Sequence, residues 1–364
     1  MKTDLHDIVK EFMLLEAPSG YESKMAYAMK AHLEAFSHDV HIDRAGNVLA
    51  KFPGRDPDAP TIMVFAHMDQ LGFIVRKIEK DGLIQVDRMG GIPEKVLPAL
   101  KLSIRGIDGN YTTGVFGVKS HHQATAEEKY KVDVVTSLFI DIGAKSAEDV
   151  KAAGIHVGCP AIYEPNFYDL QNGRVCGTAV DNRCGCAALV GIAEQISNMQ
   201  HDATIYVVGT VWEEFNIRGA VFAARAIKPD LAIGMDVVMC GDTPDLAGKY
   251  DIGFGKGPAV GLYNFHGRGT LNGCIGHAGL YKHALHCAEQ AGIPLQEFAS
   301  LGMLTDAAYV QMENNYGGCL DMGVPARYTH TPSESAQISD VEQLAELVSK
   351  MVTSIHSDFQ VSRF

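Results

Sequence analysis

The chain has 364 residues, 46% hydrophobic and 21% charged, enough for one large domain or for a large and a smaller one. Its 31 basic and 44 acidic residues leave a net charge of −13, which argues against a nucleic-acid surface and against a polybasic membrane anchor. No run reaches the ~18 apolar residues of a membrane span, and Met1–Lys10 carries acids and a histidine where a signal peptide needs an apolar stretch.

Leu5, Ile8, Val9, Phe12 and Met13 have helical spacing, and Ala17-Pro18-Ser19-Gly20 breaks that helix. A second helix follows with Met25, Met29, Leu33 and Phe36 on one face. Val48–Phe52 and Thr61–Ala66 read as strands, the latter continuously apolar as if buried on both faces. After Asp69 the texture becomes β-like, with Asp81-Gly82 and Asp108-Gly109 as hairpin turns, a strand at Leu138–Ile142, a short helix near Ala147–Ala153 and a strand at Ala161–Tyr163. From Val175 the α/β alternation resumes: helix Cys184–Ser197, strand Thr204–Thr210, helix Gly219–Ala226, strand Leu231–Met235, helix Ala278–Gln290 and strand Leu295–Phe298. A final helix has Ser339 at its N-cap and Glu342 three residues on, the pattern of a capping box. The chain thus reads as a discontinuous α/β domain interrupted by a β-rich module of roughly a hundred residues. Eight cysteines, none in a CxxC pair, read as reduced and mostly buried thiols and place the chain in the cytoplasm.

Several segments put a metal-ligand residue just past a strand or beside a helix start. In Phe65-Ala66-His67-Met68-Asp69 the period of two aims His67 and Asp69 the same way, so the carboxylate can hold the ring of a ligating histidine; a polar strand end explains the segment equally well. Asp181, before an apolar helix, reads either as an N-cap or as a carboxylate between two cations. Glu213-Glu214 follows a buried strand, where adjacent acids repel unless a cation lies between them, although a solvated turn would also serve. Asp236 ends the strand Leu231–Met235, at the edge where α/β folds place their sites. His330 in Arg327-Tyr328-Thr329-His330 is, alone, a loop histidine. Together these residues make the mixed nitrogen and oxygen set of a paired zinc, cobalt or manganese site. Such a pair activates water, and a free carboxylate beside it takes the proton. Gly253–Pro258 looks like a phosphate loop but lacks its spacing and has proline where a helix should start. His277, His283 and His286 read as a helix face and not as a further metal site.

The segments VFAHMDQLGFIV, GTAVDNRCGC, VWEEFNIRGA, MDVVMCGDTP, GFGKGP and RYTHTPSE, in this order, resemble those of the tetrahedral, glutamyl-type aminopeptidases. The similarity runs from Pro18-Ser19-Gly20 to the last helix. It implies a mixed-sheet α/β metallopeptidase domain with helices on both faces, spanning 1–69 and 166–364, interrupted by a β-rich dimerisation domain at 70–165. It also implies two divalent metal ions, one held by His67 and Asp236, the other by Glu214 and His330, with Asp181 bridging. Glu213 becomes the general base for a bridging hydroxide, Asp69 the residue that orients His67, and Asp306 a candidate to assist or to bind the substrate amine. The implied substrates are short peptides and the implied assembly a homo-oligomer, a tetrahedral dodecamer of dimers, with neither nucleic acid nor membrane as partner. Gln70, Asn182 and Trp212 depart from the family's usual Glu, Asp and Gln; Asn182 and Trp212 flank the site and are expected to tune rate or substrate preference. A related di-metal amidohydrolase, such as a carboxypeptidase or deacylase, and a non-enzymatic assembly protein are the alternatives.

Overall fold

The structure is a computed structural model and describes residues 3–267, 272–314 and 317–364. Helix α1 (Leu5–Met13) buries the five apolar residues that its spacing selects, and Asp4 caps it by accepting the His6 N–H. Helix α2 (Ser23–Glu34) buries Met25, Met29 and Leu33 and stops short of Phe36. A hairpin, β1 (Asp39–Ile42) and β2 (Val48–Phe52), precedes β3 (Thr61–His67).

The next strands are β4 (Gly72–Ile78), β5 (Ile84–Met89), β6 (Lys101–Arg105), β7 (Tyr111–Phe116), β8 (Ile140–Asp141) and β9 (Pro160–Tyr163). They close into a barrel in the order β4-β5-β8-β7-β6-β9. Gly82 and Gly109 make its two tight hairpin turns at φ 88° and 86°, a region that an L side chain resists. The strand expected at Leu138–Ile142 shrinks to two residues because a 3-10 turn, Val135–Ser137, runs into it. Phe73, Val86, Ile104, Phe116 and Ile140 belong to a core separate from that of the sheet. Helix α3 (Ala147–Ala152) is capped by Ser146 and packs Val150 into that core.

The remaining strands are β10 (Phe167–Leu170), β11 (Arg174–Gly177), β12 (Thr204–Thr210), β13 (Leu231–Met239), β14 (Ala259–Phe265), β15 (Gly273–Ile275), β16 (Gln296–Leu301), β17 (Gly318–Arg327) and β18 (Glu334–Gln337). The helices among them are α4 (Val180–Ser197), α5 (Gly219–Ile227), α6 (Ala278–Ala291), α7 (Ala307–Val310) and α8 (Ile338–Thr353). The main sheet runs β1-β2-β12-β3-β13-β17-β18-β11-β10, with β14 to β16 attached at β17. Its centre, β12-β3-β13-β17, is parallel. Strand β3 sends Ile62, Val64 and Ala66 to the core beneath α1, α2, α4, α6 and α8, and Met63 and Phe65 to the core beneath α5 and α7. Burial on both faces is what its uninterrupted apolar run requires.

The expected capping box is absent. Helix α8 starts directly from β18 with Gln337 at its cap, whose side chain turns to Arg174 and Asn172 and makes no capping hydrogen bond, so Ser339 already lies within the first turn. That turn serves another contact: the Asp340 carboxylate accepts the N–H groups of Gly255 and Gly257 at 2.9 and 3.1 Å. The phosphate-like glycine loop therefore binds an anion of its own chain. His277 caps α6 through its ring, and His283 Nε2 lies 2.9 Å from the Met351 carbonyl oxygen, so both are structural. All eight cysteines are free and, apart from the half-buried Cys176, buried. Among the described residues no helix is long and apolar enough to cross a membrane.

Candidate metal centre at the carboxyl edge of the sheet

Strands β3 and β12 end in register, His67 opposite Thr210. Strand β13 pairs with β3 only as far as Gly234 but with β17 as far as Met239. Beyond Gly234 one side of β13 therefore loses its paired neighbour, and Asp236 stands there with Oδ1 3.8 Å from His67 Nε2. The strand runs on beyond the expected Met235, because β17 continues beside it. Asp181 lies in extended backbone (φ −78°, ψ 104°) ahead of the regular part of α4, and the Asp181–Asn182 peptide bond that follows it is cis. Its Oδ1 is 3.1 Å from His67 Nε2 and its Oδ2 3.5 Å from His330 Nε2, so one carboxylate spans two imidazoles. His67, Asp181 and Glu214 each bring a ligand atom within 4.8 Å of the others. All six acids and histidines expected to hold metal or move a proton line a single cavity of about 800 Å³: His67, Asp181, Glu213, Glu214, Asp236 and His330.

A shell of hydrogen bonds sets these positions. The Asp69 carboxylate accepts the N–H groups of Glu213 and Glu214 at 3.0 and 3.1 Å and the Ser19 hydroxyl at 2.5 Å. It thus shapes the Glu213-Glu214 turn, while His67 Nδ1 lies 3.2 Å from the Asp69 carbonyl oxygen and 3.5 Å from its Oδ1. Asn182, and not Asp181, caps the regular part of α4: its Oδ1 accepts the Gly185 N–H at 3.1 Å and its Nδ2 donates to the Met235 carbonyl at 2.7 Å. The capping need is met next door, which leaves the Asp181 carboxylate to the imidazoles. Behind His67, the buried Arg183 donates to the Met68 carbonyl and, at 2.9 Å, to Gln70 Oε1. Asp306 accepts the Thr210 hydroxyl at 2.9 Å through Oδ2, and its Oδ1 is buried without a partner.

The electrostatics of the site are those of a cation deficit. Burial pushes the Glu213 carboxyl well above its usual range and Glu214 up to about 8, and it raises Asp236, with Asp181 adding to that rise. Burial likewise brings Asp306 to about 7. For His67, burial opposes protonation, yet hydrogen bonds with Asp181, Asp236 and Asp69 outweigh it and raise the pKa well above normal. His330 behaves alike, with Glu214 and Asp181 overcoming burial. Burial would lift Asp181 too, but its contacts with His330 and His67 hold it below the ordinary carboxylate range. Two imidazoles cannot neutralise this many carboxylates, and an uncompensated buried charge costs several kcal/mol (roughly 3–5 when one partner is missing). Divalent cations would supply the charge, and Glu214 Oε1, buried with no hydrogen-bond partner, offers a free lone pair. The residues fit a paired metal site of mixed nitrogen and oxygen donors.

Two contributors escaped the sequence. The buried Glu334 accepts the N–H of Asp181 at 3.0 Å and that of His330, which ties two site residues together; its place four residues after His330 was the available signal. Gly91, in the barrel, lies with its carbonyl oxygen 2.8 Å from His330 Nδ1, and nothing in the sequence pointed to it. Conversely, Asn182 and Trp212 do not line the cavity. Trp212 instead packs against the main core near Gly20.

A mixed α/β sheet joined to a closed barrel, with acids and histidines gathered at its carboxyl edge, defines a metallohydrolase fold. The M42 glutamyl aminopeptidase family model matches residues 46–347, and the chain belongs to that family. It is an aminopeptidase, a metallo-exopeptidase hydrolase. The chain is similar to SgcX of Escherichia coli (strain K12), 38% identical over 353 residues that cover 96% of this chain and 94% of that protein. Among solved structures it is similar to aminopeptidase APDkam598 from the archaeon Desulfurococcus kamchatkensis, with a TM-score of 0.91, 29% identity and 98% and 96% of the two chains covered. It is also similar to the TET1 peptidase of Pyrococcus horikoshii, which can assemble into a tetrahedron or a large octahedral shell, with a TM-score of 0.84, 25% identity and 97% and 100% covered.

Proposed function

We propose that the chain removes the N-terminal residue from short peptides with two divalent ions, zinc, cobalt or manganese, at the carboxyl edge of its sheet. His67 and Asp236 would hold one ion, Glu214 and His330 the other, and Asp181 both. The observation that carries this reading is the Asp181 carboxylate, with one oxygen toward each imidazole. When bound, the ions would polarise the scissile carbonyl and lower the pKa of water. Glu213 is the general base. It lines the cavity, and its raised pKa suits a group that takes a proton and returns it to the leaving amine. Asp69 acts through others: it fixes the backbone of Glu213 and Glu214 and supports the His67 ring.

The barrel, within a module at 70–165 inserted between 1–69 and 166–364, serves dimerisation, and dimers assemble into a homo-oligomer such as a tetrahedral dodecamer in the cytoplasm. Exposed apolar residues in the connection between β7 and β8 of this module, among them Val118, Tyr130, Val132 and Val134, support this assignment.

Aminoacyl-anilides with a free amine should be cleaved, N-acylated amino acids should not, and a chelator should abolish turnover. Glu213→Gln should retain both ions yet lose about 10²- to 10⁴-fold in turnover. Unchanged turnover in that variant removes Glu213 from the role of base, and cleavage of N-acylated substrates alone makes the enzyme a deacylase.

A further inference from the structure

The cavity has walls from both parts of the molecule, and the barrel's share is concentrated in one place. Immediately after β5, Gly90 and Gly91 pass across the carboxyl edge of the sheet and line the cavity. The Gly91 carbonyl oxygen is 2.8 Å from His330 Nδ1. That contact leaves His330 Nε2 to face Asp181 and sets the tautomer that a ligating histidine needs. The approach is tight: a methyl group on Gly91 would lie 3.1 Å from Nδ1 and 3.3 Å from Cε1 of the ring, so the imidazole would have to give by a few tenths of an ångström. Gly90 takes φ 97°, and a methyl there would collide with Leu71 Cδ2 at 2.2 Å and touch the Glu214 backbone oxygen and Oε2 at 3.4 Å. At the end of β9 the barrel's Tyr163 hydroxyl also donates to the His330 carbonyl, at 3.4 Å. His330 itself has φ 68°, a conformation that a non-glycine residue keeps only when its surroundings hold it.

His67 and Asp236 are held differently. The His67 ring meets the Asp69 carbonyl and carboxylate and Asp181, and the Asp236 carboxylate accepts the Val237 N–H. All of these belong to the sheet and its connections. Among the described residues, the barrel thus hydrogen-bonds His330 and lies beside Glu214, whereas the hydrogen bonds of the His67 ring and the Asp236 carboxylate run to the sheet and its connections.

We infer that Gly91, with Gly90, positions His330 and Glu214, so that one of the two ion sites is completed by the barrel and the other is built by the sheet alone. This inference rests on the two-ion reading given above. Its consequence is unequal behaviour: movement of the barrel against the sheet alters the affinity for one ion and spares the other.

The test is calorimetric titration of the chelator-stripped full-length protein with Zn2+. The wild type should show two binding events. In Gly91→Ala one event should keep its affinity, which also reports an intact sheet, while the other weakens about 10- to 100-fold. His330→Ala should abolish the same event, and adding Gly91→Ala to it should leave the surviving event unchanged. Two events of wild-type affinity in Gly91→Ala overturn the inference, and so does equal weakening of both. Should Gly91→Ala not fold, Tyr163→Phe, which keeps the aromatic ring in the barrel core, decides the matter. Weakening confined to the His330 event supports the inference; two unchanged events overturn it. A wild type that takes up fewer than two ions sinks instead the two-ion reading, a result distinct from any given by the variants.

Discussion

The barrel closes mainly on side chains with nothing to hydrogen-bond. Phe73 and Phe116 meet edge to face, centroids 5.3 Å apart, among Val86, Ile104 and Ile140. The carboxyl edge of the sheet, where the chain passes into that barrel, buries Asp69, Asp181, Glu213, Asp306 and Glu334 together with His67. Apolar burial is favourable whatever the solution contains, since it depends on area removed from water. A buried carboxylate is tolerable only when paired or ligated. The barrel interior should accordingly be indifferent to pH and metal, while the sheet edge should depend on both. The polar shell there is the larger part of what folding must tolerate for function, and the apolar layers beneath α1, α4 and α8 and beneath α5 and α7 are what allow it.

The largest effect sought is on the barrel side. Phe116→Ala empties a fully enclosed ring and should cost about 3–5 kcal/mol in urea unfolding. The cost should be the same with Zn2+ and with a chelator. A cost that rises when the ions are present would mean that the two interiors act as one, and the comparison would break.

A smaller effect is expected from the ions themselves. Anything that binds only the folded chain stabilises it by mass action, about 2.7 kcal/mol for an ion present at 100 times its Kd. Chelation should lower the unfolding midpoint of the wild type by a corresponding amount. In Glu334→Gln, which weakens the carboxylate that accepts the N–H groups of Asp181 and His330, the stabilisation by Zn2+ should shrink by about 1–3 kcal/mol, as expected for a hydrogen bond to a charged group. Stabilisation equal to that of the wild type would show that Glu334 has no part in holding those two residues.

The same contrast explains what could be read from the chain. Strands such as Thr61–His67 and hairpins such as Asp81-Gly82 are local patterns: side-chain periodicity and a turn dipeptide specify them. His67, Asp181, Glu213, Glu214 and Asp236 were legible as candidates because each follows a strand or starts a helix, and parallel order brings such ends to one edge; His330, a loop histidine by itself, was legible only through the company of the others and the resemblance of its segment. Contacts set by docking were not legible. That the Gly91 carbonyl meets His330, 239 residues away, depends on how the barrel lies against the sheet, and no period or motif encodes it. The Ser339 capping box failed for a related reason: pairing of β18 with β11 and β17 carries the chain into α8 already in place, and the tertiary constraint overrode the local signal. Trp212 flanks the site in sequence but not in space, because the turn at Trp212, with φ 59°, directs it toward the core.

A pH-dependent effect lies between the two regions and sharpens the line dividing them. Asp321, in the middle of β17, is buried and accepts the Thr305 hydroxyl at 2.8 Å and the Asn264 amide at 2.6 Å. Burial pushes its carboxyl up from an ordinary 3.8 to about 7. Below pH 4 it is protonated in both the folded and the unfolded chain and contributes nothing to any slope. Between pH 4 and 7 the unfolded chain has released its proton while the folded chain keeps it, so the folded state binds more protons and stability falls as pH rises. The limiting slope is about 1.4 kcal/mol per pH unit, and it flattens above pH 7, where both states are ionised. Asp321→Asn has no proton to release and no such slope, and the variant can still accept the Asn264 amide. Urea unfolding of the two proteins, both saturated with Zn2+, should therefore show a difference that grows in favour of the variant from pH 5 to pH 7 and then stays constant. A constant difference across the whole range would mean that the Asp321 carboxyl is as well solvated or paired as one at the surface, and the carboxylate strain would then stop at the cavity and not extend into the sheet.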